Sequence, residues 1–481
     1  MDKEQKNESV QEIPNLSLYD RQIERIRQKL TRAAQTPESE QVFGASSHRY
    51  RVNEPMTLEE LNTLQAKWGV QLPEAFAAFL TGIGNGGPGS YGGAGPYYGI
   101  YGTDNMEPDA ERLTQASLFR MSPAAQDWQS QDTEEYAVDE SLDDDAYNEA
   151  FADLLKGTLE IGTMGCDNEI LLIVSGEHRG RVVYMNMEYQ KPFFTHEKNF
   201  LDWYERWLDE IIAGFKIHWF GTTPGGSEQE LVEQAKASGS SENRAQALKA
   251  LLRFPRLEEP AVRLAEKLLY DPADSVRYWA LTLLAAHAPD LADPMLIAGL
   301  GSEQAEDRRT SAQLIHWYRK KNARNFAEEI QTLIPRETDE ETFRFLGYIA
   351  EAAGIEPLPL FLPAFRNPDA EIRKSAIWQA GKSDQKAEYV DEFIRVLLHD
   401  PAPNVVHTAI QSLGGVTDLR LLPVYEQLLA QHPTDENYIP GNIRHRLKEF
   451  GFSTQDHIDR YVPGELARVR SVLRNLKEER R

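Results

Sequence analysis

The 481-residue sequence predicts two architectures in one chain, a first part mixing helices with short strands and a second built as an all-α solenoid of paired helices. Three observations predict this. Up to about residue 215, glycine and aromatics are frequent and short strand-like apolar runs appear; beyond it, apolar spacing is helical almost throughout. From residue 238 onward a pattern recurs at steps of 33, 32, 35, 29 and 33 residues. Between the two parts, Gly221-Thr222-Thr223-Pro224-Gly225-Gly226-Ser227 has no apolar side chain and reads as a linker. The expected organisation is a leader and helix over 1–46, a strand-containing domain over 47–215, a linker over 216–237, repeats over 238–450 and a capping helix over 451–481.

Composition narrows the class. Hydrophobic residues at 41% and charged residues at 27% suit a folded chain rather than a disordered one. The first ten residues, MDKEQKNESV, do not read as a secretory signal, and the longest apolar run, Ile170 to Val174, is far short of a membrane span. A single cysteine, Cys166, excludes an intramolecular disulfide framework and a cysteine-based zinc site. The expectation is a cytoplasmic protein with no membrane contact. Net charge is −24, and it is uneven: residues 1–215 carry 18 Lys and Arg against 37 Asp and Glu, a net of −19, which leaves −5 for the rest. So acidic a body disfavours nucleic acid and attracts a basic protein; the plainer reading is solvated acidic faces.

The repeat is carried by a small residue three positions after an arginine or its equivalent. The anchors are Ala247, Ala280, Ala312, Gly347, Ala376 and Ala409, preceded by Arg244, Arg277, Arg309, Arg344, Arg373 and, in the sixth repeat, Val406. Three repeats open on Asp271-Pro272, Asn367-Pro368 and Asp400-Pro401, where Asp or Asn caps a helix and Pro fits its first turn. Each repeat adds a second apolar helix, such as Val262–Leu269 or Tyr389–Leu397. These residues resemble short bacterial HEAT-like repeats of about 30 residues, roughly six of them, shorter than the usual ~40–47. The arginines read as stitches between repeats rather than as a nucleic-acid ladder. Gly347 and Val406 depart from the pattern, and bends or distortions are expected there.

In the first part, Tyr19 to Leu30 reads as an amphipathic helix. Thr57 and Glu60 form a capping box ahead of a helix whose buried stripe is Leu58, Leu61, Leu64 and Trp68, ended by Gly69. Leu72-Pro73-Glu74 opens a second helix burying Phe76, Phe79, Leu80 and Ile83. After it come Gly82-Ile83-Gly84-Asn85-Gly86-Gly87 and Gly95-Pro96-Tyr97-Tyr98-Gly99-Ile100-Tyr101. Strands are expected at 158–161, 169–175 and 181–187, with Gly176 and Gly180 bracketing a hairpin turn, followed by a helix burying Phe200, Trp203, Trp207, Leu208 and Ile211.

This order resembles the SUKH superfamily, which includes a fungal cell-wall synthesis regulator and many bacterial toxin-immunity proteins. The resemblance rests on Leu72-Pro73-Glu74, the Ile83–Gly87 turn, Pro96-Tyr97-Tyr98-Gly99, the Gly165-Cys166 turn before the strand pair, and the closing Trp-rich helix. It implies an α+β domain, a mixed sheet of four or more strands with flanking helices, that binds proteins and has no catalytic centre. One departure is the acidic stretch: from Met121 to Leu155 there are eleven acidic residues and no Lys or Arg, among them Asp132, Glu134, Glu135, Asp139, Glu140, Asp143, Asp144, Asp145 and Glu149. It reads as a solvated loop with a weak helix, or as a lure for a basic partner.

Motif chemistry points away from catalysis. Gly82-x-Gly84-x-x-Gly87 has the dinucleotide spacing but follows a helix, so tight chain reversal explains its glycines better. Asn85 within it reads either as a turn former or as a partner contact. Asp143-Asp144-Asp145 lacks the alternation of a calcium loop, Cys166 reads as packed, and His48 as holding a loop. The expectation is a non-enzyme with no cofactor, metal or catalytic residue. It binds a protein partner, possibly a basic nuclease-like toxin, through Asn85, Tyr97, Tyr98, Tyr101, Asp139, Glu140, Asp143, Asp144 and Asp145. The alternative is a regulatory scaffold for endogenous proteins.

Overall fold

The computed structural model describes residues 16–37, 39–87, 92–121, 136–188, 190–434 and 437–450, which fall into two units, 1–283 and 284–481. The expected capping helix 451–481 lies outside the described residues, as do Asp132, Glu134 and Glu135. Among the described residues no helix is long and apolar enough to cross a membrane.

In the first unit, the helix Asp20–Ala33 buries Ile23 and Ile26 against the helix Phe200–Ile212. Polar contacts fix the pairing: Glu205 accepts from Arg25 at 2.9 and 3.1 Å, from Lys29 at 2.7 Å and from Gln22 at 3.0 Å. The capping box forms as expected: Thr57 Oγ1 accepts from the Glu60 N–H at 3.2 Å, and Glu60 accepts from the Thr57 N–H at 2.7 Å, at the head of Leu58–Trp68. Gly69 ends that helix at φ +68°. Leu58, however, is 59% exposed, because the first turn overhangs the core; Gln65 is buried instead and accepts from the Leu72 N–H at 2.8 Å. Helix Glu74–Gly82 buries Phe76, Phe79 and Leu80 as expected.

Four strands, β1 (Thr158–Gly165), β2 (Asn168–Ile173), β3 (Val182–Asn186) and β4 (Lys191–Phe194), form a sheet in that order. All three pairings are antiparallel, so the sheet is not the mixed one expected: consecutive strands joined by short turns pair as hairpins, and the parallel bridge between Gly87 and Tyr101 stands outside it. One face, with Ile170, Leu172, Tyr184 and Phe193, joins the main core; the other, with Leu171, Ile173, Val183 and Met185, has its own small core. Both faces are covered, so β2 and β3 read as continuous apolar runs. Strand β4 escapes sequence reasoning because Pro192 interrupts it; proline is tolerated there because the strand lies at the edge.

The β1–β2 turn consists of Cys166 and Asp167, both left-handed at φ +50° and +57°, pinned by Asn168, whose side chain donates to the Gly165 and Cys166 carbonyls at 3.2 and 2.7 Å. Cys166 is therefore exposed at a hairpin tip, not packed as expected: a two-residue turn offers no core to enter. His48 does hold a loop: buried between Tyr50 and Trp207, it accepts from the Tyr50 N–H through Nδ1 at 3.0 Å, and burial lowers its pKa to about 4.

The expected linker is packed. Phe220, Gly221, Thr222 and Pro224 are buried, and its second half is the helix Glu228–Ala237. Its small residues serve close packing rather than looseness.

Helices then alternate in pairs, beginning with Glu228–Ala237 and Ser241–Leu251 and ending with Leu421–Gln431 and Ile439–Glu449. In the second unit the helices Ala305–Tyr318, Glu340–Ala353, Ala370–Ala380, Pro403–Ser412 and Ile439–Glu449 pack each on the next. The anchors Ala247, Ala280, Ala312, Ala376 and Ala409 are fully buried. Gly347 brings no bend: its helix is continuous to Gly354, and a Cβ at 347 would lie 2.7 Å from Gln379 Nε2 in the next repeat. Nor does Val406, inside a regular helix. Irregular backbone falls instead in partner helices, at Asn322 and at Leu358 within the proline-rich 357–363 stretch.

Arginines stitch repeats together. Arg244 pairs with Asp271 at 3.0 and 2.9 Å, Arg308 with Glu337 at 2.7 and 2.8 Å, and Arg373 with Asp400 at 2.7 and 2.9 Å. Each also donates to a carbonyl six residues back, Ser238, Ser302 or Asn367. In the third repeat Arg308 takes the place expected of Arg309, which reaches Asp339 at 2.6 Å. Arg277 instead pairs with Asp274 in its own helix, and Arg344 with Glu340 and Glu341. Arg373→Ala strands Asp400, whose side chain is only 5% exposed, and is expected to cost about 3–5 kcal/mol in urea unfolding. Arg277→Ala, at an exposed pair, is expected to cost less than ~1 kcal/mol.

Candidate protein-binding site

Of the expected contact residues, Asn85 and the tyrosines sit toward the outer edge of β1. There the segment 98–101 runs alongside, with the Tyr98 N–H donating to the Thr163 carbonyl at 3.3 Å and the Tyr101 N–H to the Ile161 carbonyl at 2.9 Å. The strand edge is thus covered by the chain itself. Glycine makes this possible: at Gly99, φ is +94° and a Cβ would stand 1.9 Å from the Gly93 carbonyl oxygen.

Asn85 pins the neighbouring turn. Its amide donates to Thr103 Oγ1 at 2.9 Å, its Oδ1 accepts from the Thr103 N–H at 2.9 Å, and its carbonyl accepts from Asn53 Nδ2 at 3.0 Å. Of its two sequence readings, turn former is the one this geometry fills. Tyr97 is likewise committed inward: it packs against the main core, its hydroxyl donates to the Phe220 carbonyl at 3.0 Å, and burial holds its pKa well above the usual tyrosine value. Tyr98 is half-buried, its ring edge-on to Phe43 at 5.0 Å. Tyr101 lines a recess of 430 Å³ together with Glu107, Arg112, Ala152, Leu155 and Glu160.

The acidic stretch is helical over Asp144–Leu154. Asp143 caps it, accepting from the Ala146 N–H at 2.9 Å, while Asp144 and Asp145 occupy the first turn, where the helix dipole favours negative charge. Asp139 accepts from the Ser141 N–H at 2.9 Å. All five predicted acids, Asp139, Glu140, Asp143, Asp144 and Asp145, are exposed. Arg112 ties this helix back through Glu149 at 2.5 Å and Asp153 at 3.0 Å. The predicted residues therefore form two groups, a committed turn-and-tyrosine group and an exposed acidic one.

Sequence reasoning missed two features. One is a carboxylate pair beside Tyr101: Glu169 faces Thr163 across the β1–β2 ladder, and Glu160 lies nearby on β1. Neither has an ion-pair partner among the described residues. Desolvation raises both carboxyl pKa values, that of Glu169 to about 7 with the Glu160 charge adding to the effect. Single charged residues in apolar strands were the available signal. The other is a rim of exposed aromatics, Phe43 and Trp219, around a recess of 210 Å³. Its signal was the Ile217–Phe220 run before the expected linker.

The raised Glu169 carboxyl binds its proton more tightly folded than unfolded, so stability falls as pH rises from about 4.5 to 7. Glu169→Gln is expected to raise stability by about 1–2 kcal/mol at pH 8 and to leave it unchanged at pH 4, read by urea unfolding at both.

No curated protein matches the chain significantly. Among solved structures, a chain of the complex of CpcE and CpcF of phycocyanin lyase from Nostoc sp. PCC7120 is 18% identical, with 54% of this chain and 99% of that chain covered, at a TM-score of 0.29, a likeness too distant to bear on activity. Residues 55–206 match the SMI1 / KNR4 family (SUKH-1), the resemblance drawn from the Leu72-Pro73-Glu74 step, the Asn85 turn, the tyrosines and the closing helix, and this span contains the whole four-stranded sheet.

Proposed function

We propose that the chain is a non-enzymatic, cytoplasmic protein-binding protein of the immunity type, which neutralises a basic toxin effector by covering its active surface. The observation that carries this reading is the distribution of charge. The SUKH-type part belongs to a stretch of net −19, and its exposed acids at 139–145 stand where a partner can reach them. Such a field speeds the approach of a basic protein and slows that of an acidic one. Family resemblance supplies the immunity role; charge supplies the kind of effector. The titratable groups with perturbed pKa values, His48 and His196 among them, owe the shift to burial, which suits packing better than proton transfer.

A second reading, a scaffold for endogenous proteins, is favoured by the helical repeats, which fill roughly half the chain. A toxin-like reading frame beside the gene supports immunity, and a solitary gene supports the scaffold.

The test uses the full chain as bait in native lysate, then measures association with the captured partner. The rate is expected to fall at least tenfold between roughly 50 and 500 mM salt. The combined change Asp139→Asn, Glu140→Gln, Asp144→Asn and Asp145→Asn is expected to slow association and flatten that dependence, Asp143 being kept because it caps its helix. A rate indifferent to salt and to these changes removes the electrostatic reading.

A further inference from the structure

Trp219 and Phe220 are neighbours with opposite fates. Phe220 is 4% exposed; its carbonyl accepts from the hydroxyls of Tyr97 at 3.0 Å and Tyr184 at 2.8 Å, and the Arg206 guanidinium lies 5.2 Å over its ring. Trp219 is 51% exposed, although its carbonyl closes a tight turn by accepting from the Thr222 N–H at 3.2 Å and hydroxyl at 2.7 Å. The turn is therefore clamped at two successive carbonyls, and the indole is held out from a rigid base. Trp219 has φ +51° and Tyr97 has φ +56°. Bulky L residues rarely take this left-handed conformation, which persists only where the surroundings impose it.

These two strained aromatics border one recess of 210 Å³, lined also by Val42, Phe43, Met164 and Trp207. Its floor is dry, with Trp207 at 0% and Met164 at 7% exposure, while the rim residues Phe43 and Trp219 are each about half in water.

We propose that this recess is an anchor pocket that receives one aromatic or long aliphatic side chain from a basic segment of a protein partner. The inference rests on the protein-binding reading above and adds where the short-range contact is made. The walls are apolar and aromatic, and the space suits a single side chain rather than a helix. Charge complementarity selects the segment: residues 1–215, which supply five of the nine lining residues, carry net −19, so lysine or arginine beside the anchor is attracted and an acidic segment is repelled. The clamp on Phe220 keeps the rim in place before binding, so little ordering remains to be done on contact.

The test titrates the full chain with the acetylated, amidated peptide Lys-Lys-Phe-Lys-Lys, with the same peptide carrying Ala for Phe, and with Glu-Glu-Phe-Glu-Glu, following tryptophan indole N–H resonances assigned by substitution. The Phe peptide is expected to shift the Trp219 resonance and to bind at least tenfold more tightly than the Ala peptide, while the Glu peptide leaves the spectrum unchanged. Trp219→Ala and Phe43→Ala are each expected to reduce binding of the Phe peptide, the former at least tenfold. Trp219→Gly, which suits the left-handed backbone, separates loss of the indole from loss of the turn and is expected to behave as Trp219→Ala. Equal binding of the Phe and Ala peptides, equal binding of the Glu peptide, or affinity that survives loss of Trp219 overturns the proposal. So does a concentration-dependent dimer that Trp219→Ala abolishes, because the occupant is then a second copy. A captured partner that binds Trp219→Ala unchanged but responds to the acidic substitutions overturns the pocket and leaves the protein-binding function standing.

Discussion

Two arginines and two glutamates, almost removed from water, hold the N-terminal domain to the first helical repeat. Arg206 pairs with Glu197 and, at 2.7 Å, with Glu210; Arg253 lies 3.2 Å from Glu210 and donates to the Pro224 and Gly226 carbonyls at 2.6 and 3.1 Å. Arg206 and Glu210 belong to the helix that closes the N-terminal domain, whereas Arg253 follows the helix Ser241–Leu251. Desolvating such a cluster costs free energy, enough to push the Arg253 pKa down to about 10, and the cost is offset only while all partners are present. Phe215 and Phe254 add apolar faces to the Arg253 guanidinium at 5.6 and 5.3 Å. The cluster therefore fixes the path of residues 215–227, and with it the turn that exposes Trp219. Parting the chain at residue 215 would take Glu210 from Arg253, while Arg206 would keep both Glu197 and Glu210.

The repeats solve a related problem with less burial. Arg244, Arg308 and Arg373 each reach an acid 27 or 29 residues later, binding the next turn while holding their own turn through the carbonyl six residues back. Arg277 and Arg344 pair within their own helices instead. Twenty-seven residues beyond Arg277 the sequence has Gln304, and Arg277 turns to Asp274. In the fourth repeat the following turn holds Asn367 where others hold Asp271 and Asp400, and Arg344 pairs with Glu340 and Glu341. The alanine anchors have no such freedom, since the space beside them is filled by the adjacent helix.

What was legible in the sequence follows from how local the cause is. Thr57 with Glu60 writes a helix start within four residues, and the anchors write the repeat because a spacing of 29 to 35 residues recurs five times. Trp203, Trp207 and Ile211 write their buried face by helical spacing alone. Other features depend on what lies opposite in space. Pro192 hides β4 because only its place at the sheet edge makes proline acceptable. Gly225 and Gly226 imitate a flexible linker because glycine serves close approach as readily as mobility, and only Arg253 distinguishes the two. Asn85 could be read two ways until Thr103 supplied both of its partners. In the acidic stretch the sequence shows charge but not reach: Asp143 turns out to cap a helix, while Asp144 and Asp145 stabilise its first turn and still face water.

That double use means the acidic surface and the fold are not in conflict. Carboxylates at a helix N-terminus lower the energy of their own helix while their charge remains exposed to a partner. Such charge acts at long range and mainly governs how fast a basic protein arrives; it is screened within about 8–10 Å at physiological salt, so it does little to retain what has arrived. Retention depends on desolvated apolar contact, which in complexes generally controls dissociation. Asn85 and Tyr97 have their hydrogen-bonding groups committed inside the domain, which leaves a different part of the surface to supply that contact. Phe43 and Trp219 expose apolar area on a clamped base, and they do so on the same unit as the acids. A binding protein assembled this way would let charge set the encounter rate and let the aromatic rim set the lifetime of the complex.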